Sequence, residues 1–418
     1  MLNILVYDMR ASKMLWGTLN LEGLKSAKTY ELLEKASIIY YNFDDKKIYS
    51  YLPIGQLLII KLESIIRKEM NKHGIQEVYL SPIQPYELWK ISGRDEKFGK
   101  KMIFLKGYSG ISERYVLSPT NEEVAIAMAK KLVTSYRQLP ISFYQFSDKF
   151  RDDPSAKHGI VRSNVFRILE AYSFNLDEKC LESTAETFFQ IFMNIFKELD
   201  LKVLPIEKRE GYITFLSISD EGDTKIAKCA CGTKIFYPKM GKFCENCGQG
   251  FKINKGIELG CIVKLGSYFS EKFNAYYLTQ NGEKKPIYLG TYGLGLSRII
   301  HSVAEQHRDE VGIKWPKSLT PIMISVIPVD VSDEKQLQYA TFVYEKIKNS
   351  GKDVILEDRN KDLGWKVRLY DLIGVPIKLI VGRREVESNT ITIQDRKRKQ
   401  KTIPLEELDN LLEELYEG

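Results

Sequence analysis

The sequence predicts an α+β domain followed by an α/β domain, with a cysteine-rich segment inside the first. Residues 141–151 and 161–174 are rich in aromatic residues and β-formers, and the turn formers between them indicate a strand–loop–strand unit. Beyond residue 321, strand and helix patterns alternate, which predicts a mostly parallel sheet. The sequence also contains four closely spaced cysteines, which have the spacing of metal ligands.

The composition is that of a globular protein, and no apolar run is long enough to cross a bilayer. Of 418 residues, 44% are hydrophobic and 28% are charged. Residues 1–20 lack the plan of a signal peptide, although an organellar transit peptide stays an alternative. Six cysteines are too few for a disulfide scaffold, so we expect a reducing compartment, the cytoplasm. The net charge of +7 is compatible with a polyanionic partner but gives only weak support for one.

The hydrophobic pattern assigns most of the remaining elements. Apolar residues recur at helical spacing over 56–73, and a short strand over 78–80 ends before Pro82. By themselves these two elements indicate only a helix packed on a sheet. Residues 255–299 alternate between strands and turns and lead into a helix near 297–305, and a domain boundary follows near 315–321. The other predicted elements are helices over 181–199, 333–349, 364–373 and 404–415, and strands over 322–329, 354–356 and 377–381.

Two arginines far apart in the sequence are candidates for binding the phosphates of a nucleotide. Arg151 closes the strand over 141–151, and Arg298 follows the glycine-rich stretch 290–295 at the predicted start of a helix. A guanidinium group is planar and permanently charged, so it can hold phosphate or carboxylate oxygens with two parallel hydrogen bonds. A single arginine of this kind could equally be a surface residue in an ion pair. The prediction therefore depends on both residues and their flanking sequences together.

The cysteine-rich segment, residues 225–252, has the spacing of a zinc ribbon. Cys229 and Cys231 form a C-x-C pair, Cys244 and Cys247 form a C-x-x-C pair, and a glycine follows each pair. Four thiolates fill a tetrahedral zinc site, so a structural role is predicted rather than a catalytic one. The alternative is four unrelated buried cysteines. The two remaining cysteines are expected to be free thiols; they are Cys180 and Cys261.

Longer strings of this sequence resemble the bacterial-type prolyl-tRNA synthetases, a family of class II aminoacyl-tRNA synthetases. These strings include LSPTNEEV (117–124), TSYRQLPISFYQFSDKFRDD (134–153), KGIELG (255–260) and GTYGLGLSR (290–298). Two further strings, LEDRN (356–360) and DLIGVPIKLIVGRR (371–384), resemble the anticodon-binding domain that several class II synthetases share.

The resemblance implies a domain order. Residues 49–316 are expected to form a catalytic domain with an antiparallel sheet flanked by helices, and 320–418 an anticodon-binding domain. Residues 1–48 would be an amino-terminal extension. The helix over 56–73 and the strand and proline after it resemble the family's dimer-interface motif, which implies a homodimer. Only about eighty residues separate Phe174 from Lys255, so we expect no editing domain between them.

The implied activity is that of a proline–tRNA ligase, which joins ATP and proline into prolyl-adenylate and transfers the prolyl group to tRNA(Pro). By resemblance Arg151 contacts the α-phosphate and the amino-acid carboxylate, Phe166 stacks on adenine, and Arg298 holds the γ-phosphate. Asp153, where the family usually has glutamate, and Arg162 are further implied ATP-site residues. Mg²⁺ would bridge phosphate oxygens, as in other ATP-using sites.

The resemblance also implies sites for proline and for the anticodon. Thr120 and Glu122 match the loop that binds the imino group, because a hydroxyl and a carboxylate can accept two hydrogen bonds from a secondary ammonium. The same residues could equally begin a helix, and both interpretations can hold together. Arg151 and Cys261 complete the implied proline site. The anticodon candidates are basic residues that could also form a solvated face; they are Arg359, Lys366, Arg368, Lys378 and Arg383.

Several positions differ from the family pattern. Val165 replaces a usual glutamate, Cys261 a usual histidine, and Lys264 a common glutamine. The family's serine–histidine–glutamate string before residue 220 is absent. These differences leave two alternatives open. One is a catalytically impaired synthetase-like protein that binds tRNA or has a regulatory role, and the other is a class II synthetase for another amino acid.

Overall fold

The computed structural model describes residues 8–17, 19–42, 46–106, 115–156, 159–232, 234–236 and 243–417. Parts of the predicted amino-terminal extension (1–7, 18 and 43–45) and of the cysteine-rich segment (233 and 237–242) lie outside the described residues. No described helix is both long and apolar enough to cross a membrane. The chain divides into two compact units. The terminal unit comprises the described residues of Met1–Tyr40, Ser50–Lys61 and Ala304–Gly418, and the central unit those of Tyr41–Tyr49 and Leu62–Val303.

The helices and strands of the described chain are numbered here in order. The helices are α1 (Thr29–Lys35), α2 (Pro53–Lys72), α3 (Tyr86–Ser92), α4 (Asp95–Phe98), α5 (Glu122–Leu132), α6 (Glu178–Glu198), α7 (Tyr268–Phe273), α8 (Leu296–His307), α9 (Glu334–Asn349), α10 (Leu363–Ile373), α11 (Arg383–Ser388) and α12 (Leu408–Glu417). The strands are β1 (Ile39–Tyr41), β2 (Tyr49–Tyr51), β3 (Gln76–Glu77), β4 (Ile83–Pro85), β5 (Phe104–Leu105), β6 (Tyr115–Leu117), β7 (Ile141–Phe150), β8 (Val165–Asn175), β9 (Leu204–Arg209), β10 (Tyr212–Ile218), β11 (Thr224–Lys228), β12 (Lys234–Phe236), β13 (Lys252–Gly266), β14 (Tyr276–Leu278), β15 (Lys284–Pro286), β16 (Tyr288–Gly295), β17 (Ile324–Pro328), β18 (Val354–Leu356), β19 (Ile377–Val381), β20 (Thr390–Gln394) and β21 (Gln400–Pro404).

The central unit is built on a nine-stranded sheet. Seven strands run in the order β12-β11-β13-β16-β8-β7-β3, and β10 pairs with β13 and with β9. The pairings are antiparallel except for the short parallel contact of β3 with β7. The predicted antiparallel sheet is therefore confirmed, and so is the strand–loop–strand unit, which is β7 and β8.

The register of this sheet brings distant segments of sequence side by side. Phe150 pairs with Val165, and the main-chain N–H of Arg151 donates to Asn164 at 2.8 Å, so the β7–β8 ladder ends at the arginine. On the neighbouring strands, Cys261 of β13 pairs with Gly293 of β16. A Cβ atom on the adjacent Gly260 would lie 2.3 Å from the Gly293 carbonyl oxygen, so only glycine fits there.

Helix α6 fixes the sheet from one side. Asp177 caps its first turn by accepting from the Cys180 N–H at 2.8 Å. Its aromatic residues recur at helical spacing, and the ring of Phe188 stacks on Tyr292 of β16 with centroids 3.7 Å apart. Each fully buried aromatic side chain of this kind contributes about 2 to 3 kcal/mol of transfer free energy. This packing holds β16, the strand that leads directly into Arg298.

The terminal unit contains a five-stranded sheet in the order β18-β17-β19-β20-β21. β17 pairs in parallel with β18 and β19, whereas the β19–β20 and β20–β21 pairs are antiparallel. The prediction of a mostly parallel sheet is therefore right for the βαβ part only. The hairpin of β20 and β21 was not predicted, because a run of charged residues at its turn, 395–399, obscures the strand pattern.

Most predicted elements are confirmed to within a few residues, and three need correction. The stretch predicted as strands and turns, 255–299, also contains the short helix α7. The strand predicted over 78–80 is instead β3, Gln76–Glu77. The main-chain bonds to β7 continue only to Val78, whose N–H donates to the Tyr144 carbonyl at 2.8 Å, and the Leu80 N–H donates instead to the side chain of Gln145 at 2.8 Å. The last helix begins at Leu408, since residues Leu405–Glu407 form a 3-10 turn after Pro404.

Candidate active site

An open cavity of about 860 Å³ lies on the central unit, above strands β8, β13 and β16. Its lining includes both predicted arginines, Arg151 and Arg298, together with Phe166 and Cys261. The size of the cavity suits a nucleotide with a small second ligand. Segments that are more than a hundred residues apart in the sequence therefore converge on one site, as the sequence predicted.

Arg151 is held by main-chain and aromatic contacts. Its Nε and Nη2 donate to the Pro119 carbonyl oxygen at 3.0 and 2.9 Å. Its guanidinium carbon lies 5.1 Å from the ring centroid of Phe166 and 5.9 Å from that of Phe98. Burial lowers the pKa of Arg151 below its usual value; Glu122 offsets this effect in part, and the charge of Arg298 adds to it.

Arg298 is held in the same manner at the start of α8. Its Nε donates to the Val161 carbonyl at 2.9 Å and its Nη1 to the Glu258 carbonyl at 2.8 Å. Among the described residues, no carboxylate forms an ion pair with either Arg151 or Arg298. Both guanidinium groups are therefore oriented by neutral carbonyls, and their charge remains available to an anion in the cavity.

Asp153 and Arg162 form one ion-pair chain at the edge of the cavity. Arg162 donates from Nε and Nη2 to Asp153 Oδ2 at 3.1 and 2.8 Å, and its Nη1 pairs with Asp223. Burial alone would raise the pKa of Asp153, but its bond to Arg162 and the Ser155 N–H lower it overall. Both residues line the cavity, and Arg162 is engaged by two carboxylates there.

The loop that carries Thr120 and Glu122 lies beside the cavity. Thr120 and Glu122 are both among the described residues, and neither of them lines the cavity. The Thr120 hydroxyl donates to Glu122, and Nη1 of Arg94 donates to the same carboxylate at 3.2 Å. Burial alone would raise the pKa of Glu122, but the charge of Arg94 and the Thr120 hydroxyl lower it overall. Glu122 is therefore a buried carboxylate that stays ionised.

Arg94 has no predicted role, and the structure places it between aromatic rings and two carboxylates. Its guanidinium group lies 5.1 to 5.3 Å from the ring centroids of Trp89, Phe98 and Phe269. It also contacts Glu123 at 3.1 Å. The sequence shows two adjacent carboxylates after Thr120, those of Glu122 and Glu123. Arg94, which donates to both, lies 28 residues before Glu122, so spacing alone could not identify it.

A second missed group lies under the same loop, on strands β7 and β8. Lys149 is fully buried and forms an ion pair with Glu170 at 2.6 Å, while its Nζ donates to the Ser118 hydroxyl at 3.0 Å. The Gln145 amide also donates to Glu170, at 2.8 Å. Burial lowers the pKa of Lys149. Lysine and glutamate in two amphipathic strands look like solvent-facing residues. The register pairs Lys149 with Phe166 and Glu170 with Gln145, so only the folded structure shows that the two charges meet inside the molecule.

Cys261 stands in a polar corner of the cavity. Burial, together with the nearby charge of Glu258, raises the pKa of the Cys261 thiol to about 12. Glu258 accepts from Lys208 Nζ at 2.6 Å and from the Tyr212 hydroxyl at 3.2 Å. All four side chains line the cavity. The thiol is therefore neutral at ordinary pH and sits next to a fixed carboxylate, where the family usually has an imidazole.

The four clustered cysteines come together as predicted. The Sγ atoms of Cys229, Cys231, Cys244 and Cys247 all lie within 4.8 Å of one another. The Cys229–Cys247 and Cys231–Cys244 sulfurs are 3.3 and 3.6 Å apart. In a tetrahedral zinc site with Zn–S bonds of about 2.3 Å, sulfurs are about 3.8 Å apart, so the four thiols fit this metal. Gly248, which follows the second pair, has φ +72°, a conformation that favours glycine.

The basic residues predicted to contact the anticodon do not form one surface of the terminal unit. Arg383 is exposed and reaches Asp333 only at 3.4 Å, and Arg368 is also exposed. Arg359 is partly buried against Glu357. Lys366 and Lys378 are fully buried, and their Nζ atoms bind the Pro328 carbonyl and Asp371. Their buried ammonium groups cannot reach a solvent-side partner in this conformation.

Comparison with known proteins identifies the class first. Residues 108–307 match the model of the tRNA synthetase class II core domain (G, H, P, S and T), and 323–415 match the anticodon binding domain. The fold is also that of two solved structures. One is prolyl-tRNA synthetase from Cryptosporidium parvum complexed with L-proline and AMP (TM-score 0.72, 18% identity, 96% of this chain and 77% of that one). The other, from Giardia lamblia, is in complex with prolyl-adenylate (TM-score 0.73, 19% identity, 94% and 78%). The chain is thus a class II aminoacyl-tRNA synthetase in architecture.

Closer relatives among the bacteria identify the family. The chain is 31% identical over 390 residues to the proline–tRNA ligase of Sulfurimonas denitrificans, covering 86% of this chain and 89% of that protein. It is 30% identical over 387 residues to the proline–tRNA ligase of Rhizobium meliloti, covering 84% and 87%. The chain belongs to the proline–tRNA ligase family.

Proposed function

We propose that this chain activates proline with ATP and transfers the prolyl group to tRNA(Pro). In the first step a carboxylate oxygen of proline attacks the α-phosphorus, and the bond to the departing pyrophosphate breaks. In the second step a ribose hydroxyl of the terminal adenosine of the tRNA attacks the carbonyl carbon. AMP then leaves, and the hydroxyl proton is released.

The observation that carries this proposal is the pair of guanidinium groups in one cavity. Both reacting partners of the first step are anions, so their approach needs fixed positive charge more than it needs a general base. Arg151 and Arg298 supply that charge from two distant segments of the sequence, and carbonyl oxygens orient both groups. Phe166 lies against Arg151 and offers a flat surface for adenine.

The roles of the remaining residues follow from their positions. We assign Arg151 to the α-phosphate and the proline carboxylate, Arg298 to the γ-phosphate, and Asp153 and Arg162 to the ATP side of the cavity. Thr120 and Glu122, next to the Arg151 contact at Pro119, would accept from the proline ammonium group. Cys261 would contact the proline ring.

Two metals belong to the proposal. Zinc at the four cysteines would stabilise the cysteine-rich segment that carries them. Mg²⁺ would reduce the repulsion between phosphate groups, and the phosphates themselves would hold it. The carboxylates of the cavity do not offer a ready set of ligands, because each already pairs with a cation; they are Asp153, Asp223 and Glu258.

The larger assembly is part of the same proposal. Residues 49–316 would form the catalytic domain, and 320–418 would bind the anticodon through exposed cations such as Arg368 and Arg383. We leave Lys366 and Lys378 out of these contacts because both side chains are buried. A homodimer in the cytoplasm fits the sequence resemblance and the need to keep four zinc-binding thiols reduced.

The experiment is proline-dependent exchange of pyrophosphate into ATP, measured with Arg151→Lys and, as a matched control, Arg137→Lys. Lysine keeps the charge but loses the planar pair of donors. We expect the Arg151 variant to lose roughly 10²-fold or more in exchange rate, since it removes an oriented donor from a developing anion. The exposed Arg137 lies outside the cavity, so its variant should exchange like the wild type.

Three outcomes would contradict the assignment in different ways. An unchanged rate in Arg151→Lys would refute the role of that residue. Exchange with another amino acid but none with proline would favour a synthetase of different specificity. A folded wild type that exchanges with none of the twenty amino acids would favour a binding or regulatory protein.

A further inference from the structure

The amino-terminal segment, defined here as residues 8–17, is built into the terminal unit and leaves one tryptophan beside Arg359. The Met9 carbonyl accepts from the Leu356 N–H at 2.9 Å, and Arg10 bridges Leu356 in parallel, so the segment extends the sheet past its edge strand β18. Ser12 donates from its N–H to Asp358 at 2.7 Å and from its hydroxyl to the same carboxylate at 2.5 Å. Nothing in the sequence predicted this pairing.

The segment ends in a stack of two indoles around one guanidinium group. The Arg359 guanidinium carbon lies 4.4 Å from the Trp16 ring centroid and 5.2 Å from that of Trp365. The Trp16 Nε1–H donates to the Ala11 carbonyl at 2.7 Å, which fixes the orientation of the indole. Arg359 is itself fixed by Glu357, to which its Nε donates at 2.8 Å. We call Trp16, Arg359 and Trp365 the indole stack.

The indole stack differs from the other tryptophans of the chain, because it reaches the surface. Trp89 and Trp315 are buried, whereas Trp16 and Trp365 are only half-buried. Exposed cations lie next to it in sequence: Lys13 on the segment, and Lys361, whose Nζ is 5.5 Å from the Trp365 ring. The nearest acids in sequence are already engaged, since Glu357 binds Arg359, Asp358 binds Ser12 and Asp362 accepts from the Trp365 N–H.

Flat aromatic surfaces flanked by free cations are the chemistry that recognises unpaired nucleobases and their phosphates. We propose that the amino-terminal segment is part of the RNA-binding face of the terminal unit, and that Trp16 of the indole stack packs against an unpaired base of the tRNA anticodon loop. This inference rests on the proposed function, because it names a contact to the tRNA. It adds a base contact from outside the sequence region that resembles an anticodon-binding domain.

The test compares Trp16→Ala, Trp16→Phe and, as a control, Leu15→Ala, a neighbour that is 68% exposed. Binding of tRNA(Pro) transcript is measured for each protein, beside a transcript whose anticodon-loop nucleotides are abasic. Loss of one stacked base typically weakens binding roughly 5- to 150-fold. We expect Trp16→Ala to show such a loss with the intact transcript and none with the abasic one. Trp16→Phe and Leu15→Ala should stay within about twofold of the wild type.

A spectroscopic measurement keeps the test valid if the alanine variant folds poorly. In a Trp365→Phe background, an anticodon stem-loop RNA should quench the tryptophan emission, and the further Trp16→Phe change should remove most of that quenching. Equal losses with intact and abasic transcripts, or quenching that survives Trp16→Phe, would overturn the inference. Proline-dependent exchange needs no tRNA and should be unchanged in every variant. If the wild type shows no proline-dependent exchange, that result contradicts the proposed function. The RNA-binding measurements then decide separately whether Trp16 packs against a base.

Discussion

At the scale of single residues, the candidate active site holds positive charge that its own carboxylates do not neutralise. Arg151 is half-buried, and its pKa is lowered by desolvation and by the charge of Arg298, with partial compensation from Glu122. Moving a charge out of water without an ion-pair partner costs free energy, and an anion entering the cavity recovers part of that cost. The free site is therefore less stable than the liganded one, and ATP and proline should raise the melting temperature by mass action.

Cys261 gives a prediction about pH, because burial raises the pKa of its thiol to about 12. Only the thiolate reacts with iodoacetamide, so the thiol form that dominates below pH 12 should protect this residue. We expect the labelling rate of Cys261, followed by mass spectrometry, to be at least about 10²-fold below that of a free cysteine with its usual pKa near 8.5 at pH 8. The rate should then rise about tenfold per pH unit up to pH 10 or 11.

The contrary result for Cys261 is a labelling rate that levels off near pH 9. A plateau there would mean that the thiol titrates normally and that it does not lie in the polar corner with Glu258. A Glu258→Gln variant provides the control. Since the carboxylate charge helps to raise the pKa of Cys261, its removal should speed the labelling at pH 9.

The arginines that line the cavity could be predicted from the sequence, whereas the residues that support the neighbouring loop could not. Arg151 and Arg298 stand beside glycines and turn formers in strings that mark a phosphate site, and the structure brings both to one cavity. Lys149 and Glu170 form an ion pair in the interior, which depends on the register of two strands and on nothing in either string. Lys366 and Lys378 show the same limit, because their charges suggested a surface and the fold buries both.

At the scale of elements, we expect the cysteine-rich segment to depend on bound zinc for its stability. Cys231 and Cys247 are exposed, and only Cys229 and Cys244 are buried. We expect Cys231→Ser to reduce bound zinc from about one per chain to near zero, measured by elemental analysis of the purified protein. Limited proteolysis should then cut within residues 229–250, because ligand binding supplies the folding free energy of such small modules.

Cys180→Ser is the matched control for the zinc prediction, since Cys180 belongs to α6 and lies outside the cluster. This variant should retain its zinc and resist the protease. A Cys231→Ser protein that still binds one zinc with unchanged affinity would show that the four thiols are not the ligand set.

Elements with a clear pattern of apolar residues were predicted well, and short strands with few apolar residues were not. The observed α9, Glu334–Asn349, and β18, Val354–Leu356, agree with the predicted 333–349 and 354–356. β21 contains Gln400 and Lys401 and is exposed along most of its length, so its strand pattern is weak. It is stabilised by pairing with β20, and that pairing is a tertiary effect which overrides local propensity.

At the scale of the whole molecule, the terminal unit is assembled from segments that are far apart in the chain. The Met9 N–H donates to the Tyr344 hydroxyl at 2.9 Å, and the Arg10 side chain pairs with Glu345 at 3.2 Å. Such contacts close loops of more than three hundred residues. Closing a long loop slows folding, whereas it lowers the free energy of unfolding only a little. The extension predicted over residues 1–48 thus contains two residues that are buried in the terminal unit, Met9 and Ala11.

The proposed homodimer yields the last prediction, which concerns the three-stranded sheet β4-β6-β5 of the central unit. Tyr115 pairs with Pro85 and Leu105, and Ile83 precedes Pro85 by two residues, so Ile83 and Tyr115 share one face of this sheet. They are 48% and 44% exposed, whereas Gln84 and Val116 on the other face are fully buried. An exposed apolar face on a small sheet is typical of an interface between identical subunits. We expect Tyr115→Asp to shift the protein from dimer to monomer in analytical ultracentrifugation at micromolar concentration, since a carboxylate buried between two copies lacks a partner.

Ile218→Asp, which places the same charge on a similarly exposed residue of β10, should remain dimeric. A wild type that sediments as a monomer, or a Tyr115→Asp variant that stays dimeric, would show that this face serves another purpose.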